Sequence, residues 1–317
     1  KNAKAKRCNC IPASRVRCGS RRYLSAILRN GKRAGHTHNP PMKSTTIPIL
    51  VLATAASAAE THRFKPADFY GTFSFAHPPA LRIKPGDTVI TETIDSGGLN
   101  AEGVRPHRVP KVSNPLTGPF YIEEAAPGDV LVVTLVRIEP NRATARSSTL
   151  LTPYAVDPRF LRAKGERVDR REIWTIDKEK GVARTTSETL KPHCLEIPLR
   201  PMLGCVGVAP ARKEAIAATT PGDFGGNMDY QGLVAGVKLM LPVNEPGALL
   251  YLGDGNARQG DGELVGTGLE TSMDVEFTVG LIKRKKIGWP RLENRDYLMV
   301  LGSSRVLRSG SHLPVSG

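Results

Sequence analysis

The sequence predicts a mainly β (all-β) protein, a β-sandwich or barrel-like fold with few short helices. The chain holds 31 glycines and 25 prolines in 317 residues, which is typical of many short strands joined by tight turns. Apolar residues alternate with polar or small ones from Met273 to Leu281, as they do in a strand with one buried face. The best candidates for helical turns are only short stretches, near Asp157–Ala163 and Tyr230–Val234.

Three tripeptides of proline, glycine and aspartate mark turns along the chain, at Pro85–Asp87, Pro127–Asp129 and Pro221–Asp223. Proline followed by glycine suits the centre of a type II turn, because the second central residue needs a positive φ. The first two turns lead into strands predicted at Asp87–Ile94 and Asp129–Ile138, the second of which is apolar on both faces and therefore buried. Further strands are predicted at Val182–Arg184, Glu196–Leu199, Cys205–Val208, Lys238–Val243, Ala248–Leu252 and Leu298–Gly302.

Most of the positive charge lies in the first part of the chain. The formal net charge is +15, and residues 1–43 contain twelve Lys or Arg and no Asp or Glu. The other 33 basic and 30 acidic residues nearly cancel. Because no recognition motif accompanies the charge, we predict no nucleic-acid partner.

Residues 42–59 have the layout of a secretory signal peptide. Met42-Lys43 is a short basic start, an apolar stretch runs from Ile47 to Ala56, and small residues follow. Cleavage near Ala58 or Ala59 would leave Glu60 at or close to the mature N-terminus. This predicts a periplasmic or secreted protein with no membrane association after cleavage.

The chain is accordingly divided into four predicted segments. Residues 1–41 are expected to be a disordered, non-native upstream extension, 42–59 a signal peptide, 60–305 one domain and 306–317 a ragged or truncated tail. The alternative for the first two is a basic targeting arm followed by an internal apolar strand. Mass spectrometry of the N-terminus would separate the two interpretations.

Four predicted loops at strand ends concentrate glycine with carboxylate and amide side chains. The richest, L-G-D-G-N-A-R-Q-G-D-G-E at Leu252–Glu263, holds four glycines and three carboxylates. Because glycine and short polar residues disfavour a helix, we predict a loop that gathers oxygen ligands and N–H groups for a metal or an oxyanion. Plain turns are the alternative. Glu270 follows in the same loop, and the other three loops carry Asp95, Asn114 with Glu123, and Asn227 with Asp229.

Several familiar catalytic patterns are missing from the sequence. Beyond residue 60 the few histidines form neither H-x-H nor H-E-x-x-H, so a local histidine-rich zinc site is not encoded. There is no G-x-S-x-G elbow and no G-x-G-x-x-G, which argues against an α/β-hydrolase serine and a dinucleotide site. Cys194 and Cys205 could form a disulfide or be buried thiols.

Four blocks together resemble the acetamidase/formamidase family. They are N-P-L-T-G-P-F-Y-I-E-E-A-A-P-G-D-V-L, R-P-M-L-G-C-V-G-V-A-P, F-G-G-N-M-D-Y and L-G-D-G-N-A-R-Q-G-D-G-E-L-V-G-T-G-L-E-T-S-M-D-V. Their order and spacing are similar to the family's over about Thr61 to Arg305. The resemblance implies a mainly β hydrolase that splits short aliphatic amides into an acid and ammonia. It also implies a homo-oligomer and a divalent metal, zinc with calcium as the alternative.

The sequence departs from the family pattern at two places. Asn256 stands where the family usually reads histidine after G-D-G, and an amide neither titrates nor binds zinc well. The chain also reads R-V-L-R-S-G-S-H-L-P-V-S-G where the family usually continues with a helical segment. Both departures place the activity in question.

For amide hydrolysis we expect activated water, because no serine or cysteine device is evident. Amide groups and the N–H groups around two glycines would bind the substrate and its oxyanion. The rival interpretations are an inactive relative that binds a small ligand, and a thiol route through Cys205. The predicted roles are metal ligands Asp95, Asp229 and Asp254, catalytic positions Glu123, Glu270 and Asn256, and substrate or oxyanion contacts Asn114, Asn227, Gly253, Gly255 and Gln259.

Overall fold

Strands make up most of the ordered elements, which confirms the mainly β class. The computed structural model describes residues 58–148, 171–185, 187–188, 195–263 and 265–303, and Ala59 onwards forms one unit. Within these ranges there are nineteen strands in four sheets. The two helical segments among them are single 3-10 turns, at Ala211–Lys213 and Asp261–Glu263.

The largest sheet has seven strands in the order β1-β4-β17-β6-β15-β18-β19. Its long central strands carry the alternating pattern seen in the sequence, with every second side chain buried. The strands are β1 (Thr61–Arg63), β4 (Thr88–Thr93), β6 (Val130–Pro140), β15 (Lys238–Pro242), β17 (Met273–Ile282), β18 (Arg291–Glu293) and β19 (Leu298–Val300).

A second sheet has six strands in the order β13-β14-β11-β16-β5-β3. Its central strands β11 and β16 are buried along their whole length. The strands are β3 (Leu81–Ile83), β5 (Leu116–Ile122), β11 (Met202–Gly207), β13 (Pro221–Gly222), β14 (Gly225–Asn227) and β16 (Leu250–Asn256).

Side chains from these two sheets share one hydrophobic core. Phe120 of β5 meets Phe277 of β17 edge to face, with ring centroids 5.2 Å apart. Val89 and Leu131 from one sheet and Leu203 from the other are fully buried in the same core. The two sheets therefore form the predicted sandwich, and burial of their facing apolar surfaces stabilises it.

Two smaller sheets complete the described fold. A four-stranded sheet has the order β10-β9-β8-β7 and a core of its own around Trp174 and Ala183. A two-stranded sheet pairs β12 with β2. Their strands are β2 (Thr72–Ser74), β7 (Thr144–Ser148), β8 (Arg171–Asp177), β9 (Val182–Thr185), β10 (Glu196–Pro198) and β12 (Ala215–Ala217).

The first two predicted Pro-Gly-Asp turns are present, and the third is not. Gly86 and Gly128 have φ of 100° and 93°, and the amide of each following aspartate donates back across the turn. Pro221–Gly222 instead forms the short strand β13 against β14, so the type II prediction is wrong there. Strand pairing overrides the local preference at this position.

Other expectations met mixed outcomes. The segment Tyr230–Val234 is a non-helical turn closed by the Leu233 amide on the Tyr230 carbonyl, 3.0 Å, so the helical interpretation is wrong. The predicted turn at Asp157–Ala163, Cys194, and the segments 1–41, 42–57 and 306–317 lie outside the described residues. None of the helices described in the structure is long and apolar enough to cross a membrane.

Candidate functional site

Four carboxyl groups converge beside strand β16, and we call Asp229, Asp254, Glu263 and Glu270 the acidic cluster. Asp254 and Glu270 are 1% and 4% exposed and lie within hydrogen-bonding reach of each other, as Glu270 and Glu263 do. Asp254 Oδ2, Glu263 Oε1 and Glu270 Oε2 have no donor among the described residues. Burial without partners costs several kcal/mol for an ionised group, so this arrangement calls for protons, a cation or a substrate.

The strand register brings the cluster together at Gly204 of β11. Leu203 pairs with Gly255 and Cys205 with Gly253, so Gly204 lies beside Asp254. The Asp229 amide donates to the Gly204 carbonyl, 3.4 Å. A Cβ at position 204 would overlap Asp254 Oδ2 and come within 2.9 Å of Asp229 Oδ1. Glycine is therefore required here because two carboxylates occupy the space of a side chain.

Burial raises the pKa of every group in the acidic cluster, and neighbouring carboxylate charges add to this for Asp229, Asp254 and Glu263. Burial, then the charge of Glu270 and Asp229, raises the pKa of Glu263 to about 9. Burial raises the pKa of Asp229 to about 7, against the hydrogen bond from Gln259. The pKa of Asp254 lies well above its ordinary value for the same two reasons. Neighbouring like charges cannot all ionise in a low-dielectric site, so the cluster holds protons at neutral pH.

Glu270 differs from its neighbours because donors surround it. Burial raises its pKa, but a bond from Ser96, the charge of Arg146 and the Gly268 amide at 3.2 Å all favour the ionised form. Its backbone pairs with that of Arg146 and with Asn256. Arg146 in turn donates to the Ser96 hydroxyl, 3.0 Å. Glu270 is therefore the member best suited to carry the negative charge.

Three amide side chains frame the other side of the cluster. Asn227 Nδ2 donates to Asp229 Oδ2 at 2.5 Å, and Gln259 Nε2 donates to Asp229 Oδ1 at 3.1 Å. Asn114 Nδ2 donates to Asn227 Oδ1 at 3.2 Å. These bonds orient Asp229 with both oxygens occupied. Of the predicted substrate amides, Asn227 and Gln259 contact Asp229 directly and Asn114 contacts Asn227.

Backbone strain is concentrated at the same place. Asn114, Asp229, Asp254 and Glu263 have φ between 44° and 57°, a region that L-residues with side chains seldom adopt. Such conformations cost of order 1 kcal/mol or more each and are common at active sites. The surrounding contacts hold the carboxylates in these positions despite that cost.

Asn256 and Cys205 complete the surroundings of the cluster. Asn256 is fully buried, its Nδ2 lies 3.4 Å from the Asp254 carbonyl, and its Oδ1 has no donor among the described residues. The Cys205 thiol is free and donates to Asn227 Oδ1 at 2.9 Å. Burial, then the charges of Asp254 and Asp229, raises the pKa of this thiol. A thiol kept protonated is a poor nucleophile, which argues against the thiol route.

Asp95 does not join Asp229 and Asp254 as a third ligand. It is fully buried, and its Oδ2 binds Arg142 at 2.7 Å and lies 3.6 Å from Arg146. Its Oδ1 accepts the amides of Gly97 and Leu99 at 2.9 Å each. With its lone pairs taken by these donors, Asp95 anchors Arg142 and Arg146, and Arg146 pairs with Glu270. The predicted ligand set is corrected accordingly.

Glu123 is placed away from the acidic cluster. It follows β5 and pairs with Arg82, 2.7 Å, with 37% of its side chain exposed. Leu116 of the same strand lies opposite Gly253, and seven residues of strand put Glu123 about 20 Å further along. The structure therefore gives Glu123 an exposed ion pair, and we assign it no catalytic role.

The motif Leu252–Glu263 is part strand and part turn, which corrects the single-loop prediction. Strand β16 continues to Asn256 and is paired with β11 and β5. A Cβ on Gly253 would approach the Pro115 carbonyl at 3.1 Å, and one on Gly255 the Thr271 carbonyl at 2.9 Å. These glycines allow the neighbouring strands to pack closely. The backbone here is used in strand pairing, whereas a loop would have left it available to an oxyanion.

Sequence reasoning missed three residues of the site. Glu263 is one of the three carboxylates of the Leu252–Glu263 motif, and its spacing from Asp254 is the signal in the sequence that could have given it a role. Arg146 and Ser96 lie on other segments and carried no local signal, since only the sheet pairing brings Arg146 to Glu270.

A metal ion would find oxygen donors here rather than nitrogen or sulfur. Among the described residues no three His, Cys, Asp or Glu side chains stand close enough to share an ion. The unpartnered oxygens of Asp254, Glu263 and Glu270 are nevertheless the donors that a hard cation such as Ca²⁺ prefers. The donor set fits calcium better than zinc.

Buried carboxyl groups with unequal environments, held on a rigid β-sandwich, define a site for acid–base chemistry. The comparisons with known proteins agree with this class. The sequence profile of the acetamidase/formamidase family matches residues 73–218 and 211–296. The chain belongs to the acetamidase/formamidase family.

Similar proteins include a candidate formamidase of Schizosaccharomyces pombe, 28% identical over 235 residues. That match spans 59% of this chain and 57% of the yeast protein, so the chain covers little more than half of its relative's length. An acetamidase structure from Yersinia enterocolitica is 28% identical with a TM-score of 0.67, over 82% of this chain and 79% of that one. A Bacillus halodurans acetamidase is also 28% identical, with a TM-score of 0.61 over 73% and 74% of the two chains.

Proposed function

We propose that the chain hydrolyses the C–N bond of short linear amides such as formamide and acetamide, releasing a carboxylic acid and ammonia. The observation that carries this proposal is the acidic cluster, in which buried carboxyl groups of different proton affinity share one site. Amide hydrolysis needs a base for water and an acid for the leaving nitrogen. Family membership supports the same reaction class.

Glu270 is assigned as the general base. It takes a proton from a water molecule as the oxygen attacks the amide carbon. Ser96, Arg146 and the Gly268 amide favour its ionised form, so it remains the carboxylate while its neighbours hold protons. General-base catalysis of this kind contributes about 10²- to 10⁴-fold to the rate.

Glu263 is assigned as the general acid. With its pKa raised to about 9 it is protonated at neutral pH, and it gives that proton to the nitrogen as the C–N bond breaks. Glu263 is only half-buried whereas Glu270 is buried, so bulk water can return the proton after each turnover. Asp254, which is also within hydrogen-bonding reach of Glu270, is a second protonated carboxyl.

Asp229 and its amide partners are assigned to substrate positioning. A carboxylate accepts hydrogen bonds from the NH₂ group of an amide, and Asn227 and Gln259 hold Asp229 in a fixed orientation for this. Asp254, Asn256 and Glu270 are buried beside it. The preference for a short substrate rests on family membership.

A divalent cation is a further part of the proposal, with calcium preferred over zinc on donor type. The unpartnered oxygens of Asp254 and Glu263 would contact it, and it would supply charge neutralisation and polarisation of the amide carbonyl. Ammonia release with and without a chelator, combined with metal analysis of the purified protein, tests this part separately from the acid–base roles.

Ammonia release from formamide and acetamide tests the proposal. Glu270→Gln is expected to lower kcat by about 10²- to 10⁴-fold, because the isosteric amide cannot accept a proton from water. Glu123→Gln is the matched control, and its exposed ion pair with Arg82 predicts unchanged turnover. Equal activity of the Glu270→Gln and wild-type proteins would contradict the assignment.

The second candidate is an inactive relative that binds a small ligand. Buried Asn256, where the family pattern has histidine, favours it because an amide cannot transfer a proton. No turnover by the wild-type chain, together with turnover by Asn256→His, would indicate an enzyme that has lost its activity rather than a binding protein. Turnover by the wild-type chain would exclude this second candidate.

A further inference from the structure

Asp87 is a buried carboxylate outside the acidic cluster, in the turn that leads into β4. It is 3% exposed. Its Oδ2 accepts the Lys84 amide at 2.8 Å and bonds His62 Nε2 at 2.9 Å. Its Oδ1 accepts the backbone N–H of Glu60 at 2.9 Å. Asp87 thus binds the backbone nitrogen of a residue that lies 27 positions earlier.

The equivalent aspartate in the second Pro-Gly-Asp turn holds an ammonium group. Asp129 Oδ2 accepts the Ala126 amide at 3.0 Å and the Lys283 ammonium at 2.6 Å. Its Oδ1 accepts the Arg284 amide at 2.8 Å. In both turns Oδ2 accepts a backbone amide and bonds a side-chain nitrogen, from Lys283 at Asp129 and from His62 at Asp87, while Oδ1 accepts a backbone N–H. A carboxylate that binds a backbone N–H at Oδ1 can also bind an ammonium group there.

The chain becomes anchored at Glu60. Its carbonyl accepts the Thr88 amide at 2.8 Å, and β1 begins at the next residue in parallel register with β4. Ala58 and Ala59 immediately before it are exposed. The sequence A-S-A-A at 56–59 has the small residues that a signal peptidase accepts.

We propose that the Ala59–Glu60 peptide bond is a processing site and that Asp87 binds the α-ammonium group that cleavage creates. In the step itself the C–N bond breaks. Water supplies OH to the Ala59 carbonyl and hydrogen to the Glu60 nitrogen, and a further proton makes that nitrogen an ammonium group. No rearrangement is needed, because the nitrogen already lies 2.9 Å from Asp87 Oδ1. A hydrogen bond from a neutral amide to the carboxylate becomes an ion pair with an ammonium group.

The other charged groups at this place are few. His62 lies between Asp87 and the Glu60 side chain, with its Nδ1 3.9 Å from Glu60 Oε1. Lys84 contributes its backbone N–H to the same carboxylate. The new ammonium group would lie near two carboxylates, those of Asp87 and Glu60, and one imidazole, that of His62. The two carboxylates favour the charged form of the amine.

The full chain is treated with purified bacterial signal peptidase and the product is sequenced by mass spectrometry. A product that begins at Glu60 is expected. An uncut chain, or a different N-terminus, overturns the processing site.

Cut and uncut proteins are then compared in the wild type, in Asp87→Asn and in Asp129→Asn. Cleavage is expected to raise Tm by about 2 to 4 °C in the wild type and in Asp129→Asn, and not in Asp87→Asn. In the cut wild-type protein the α-amine is expected to acylate about fivefold more slowly at pH 8 than in Asp87→Asn, since raising the pKa of the amine from about 8 to about 9 lowers its neutral fraction about fivefold at that pH. Equal Tm values in cut and uncut wild type, together with equal acylation rates in wild type and Asp87→Asn, overturn the binding site. If Asp87→Asn fails to fold, the comparison of cut with uncut wild type still decides the question.

Discussion

Replacing Glu263 by glutamine removes one titrating group of the acidic cluster and keeps the shape of the side chain. In the folded protein the pKa of this carboxyl is about 9, against about 4.3 in an unfolded chain. Between pH 5 and 9 the folded state therefore keeps a proton on this carboxyl that the unfolded state has already lost. Because the native state binds more protons in this range, stability falls as pH rises. Glu263→Gln is expected to remove that dependence.

The size of the effect follows from the shift in proton affinity. One retained proton costs about 1.4 kcal/mol of stability per pH unit, or about 5 kcal/mol between pH 4.5 and 8. The neighbouring carboxyl groups take up part of the proton when Glu263 is removed, since the cluster titrates together. We therefore expect Glu263→Gln to be about 2 to 3 kcal/mol more stable than the wild type at pH 8 and equal to it at pH 4.5.

Urea unfolding at pH 4.5, 6, 7 and 8 in the presence of a chelator measures this difference. The chelator keeps a bound cation from masking the carboxylate repulsion. Glu263→Gln is also expected to lose turnover while it gains stability, because the same carboxyl is the proposed general acid. A variant that is less stable than the wild type at pH 8, or equally pH-dependent, would refute the reasoning.

Three further substitutions test other parts of the structure. Gly204→Ala is expected to abolish turnover and to lower the free energy of unfolding by about 2 to 4 kcal/mol, because the new methyl group overlaps Asp254. The control in the same urea titration is Gly280→Ala on β17, which is expected to be tolerated because a Cβ there meets only Val132 at 3.9 Å. Lys283→Met is expected to cost about 1 kcal/mol at pH 7 and little at pH 2, because the bond to Lys283 helps to hold the pKa of Asp129 at about 2. An equal loss of stability at pH 7 and pH 2 would contradict this. Arg146→Gln is expected to shift the acidic limb of the pH profile of kcat/KM upward by about one pH unit, since it removes a charge that favours ionised Glu270. An unchanged acidic limb would show that Arg146 has no effect on the ionisation of Glu270.

Local signals predicted the strands and two of the three turns. The alternation at Met273–Leu281 corresponds to β17, and the strand predicted at Asp87–Ile94 corresponds to β4. These predictions succeed because alternation and Pro-Gly turns depend on residues close together in the chain. The glycines of β16 were read as loop signals, because nothing local shows that neighbouring strands approach their Cα atoms closely.

By itself, the sequence determined the β class, the family resemblance and the residue types that gather at the site, since composition and motif order are properties of the chain alone. Only the tertiary structure decided which carboxylates share that site. Strand pairing brings Asp254 and Glu270 together. Asp95 instead forms an ion pair with Arg142, and Glu123 forms one with Arg82. An acidic residue near a glycine looks the same in the sequence whether its partner is an arginine or another acid, because that partner arrives from a distant segment through the folding of the sheets.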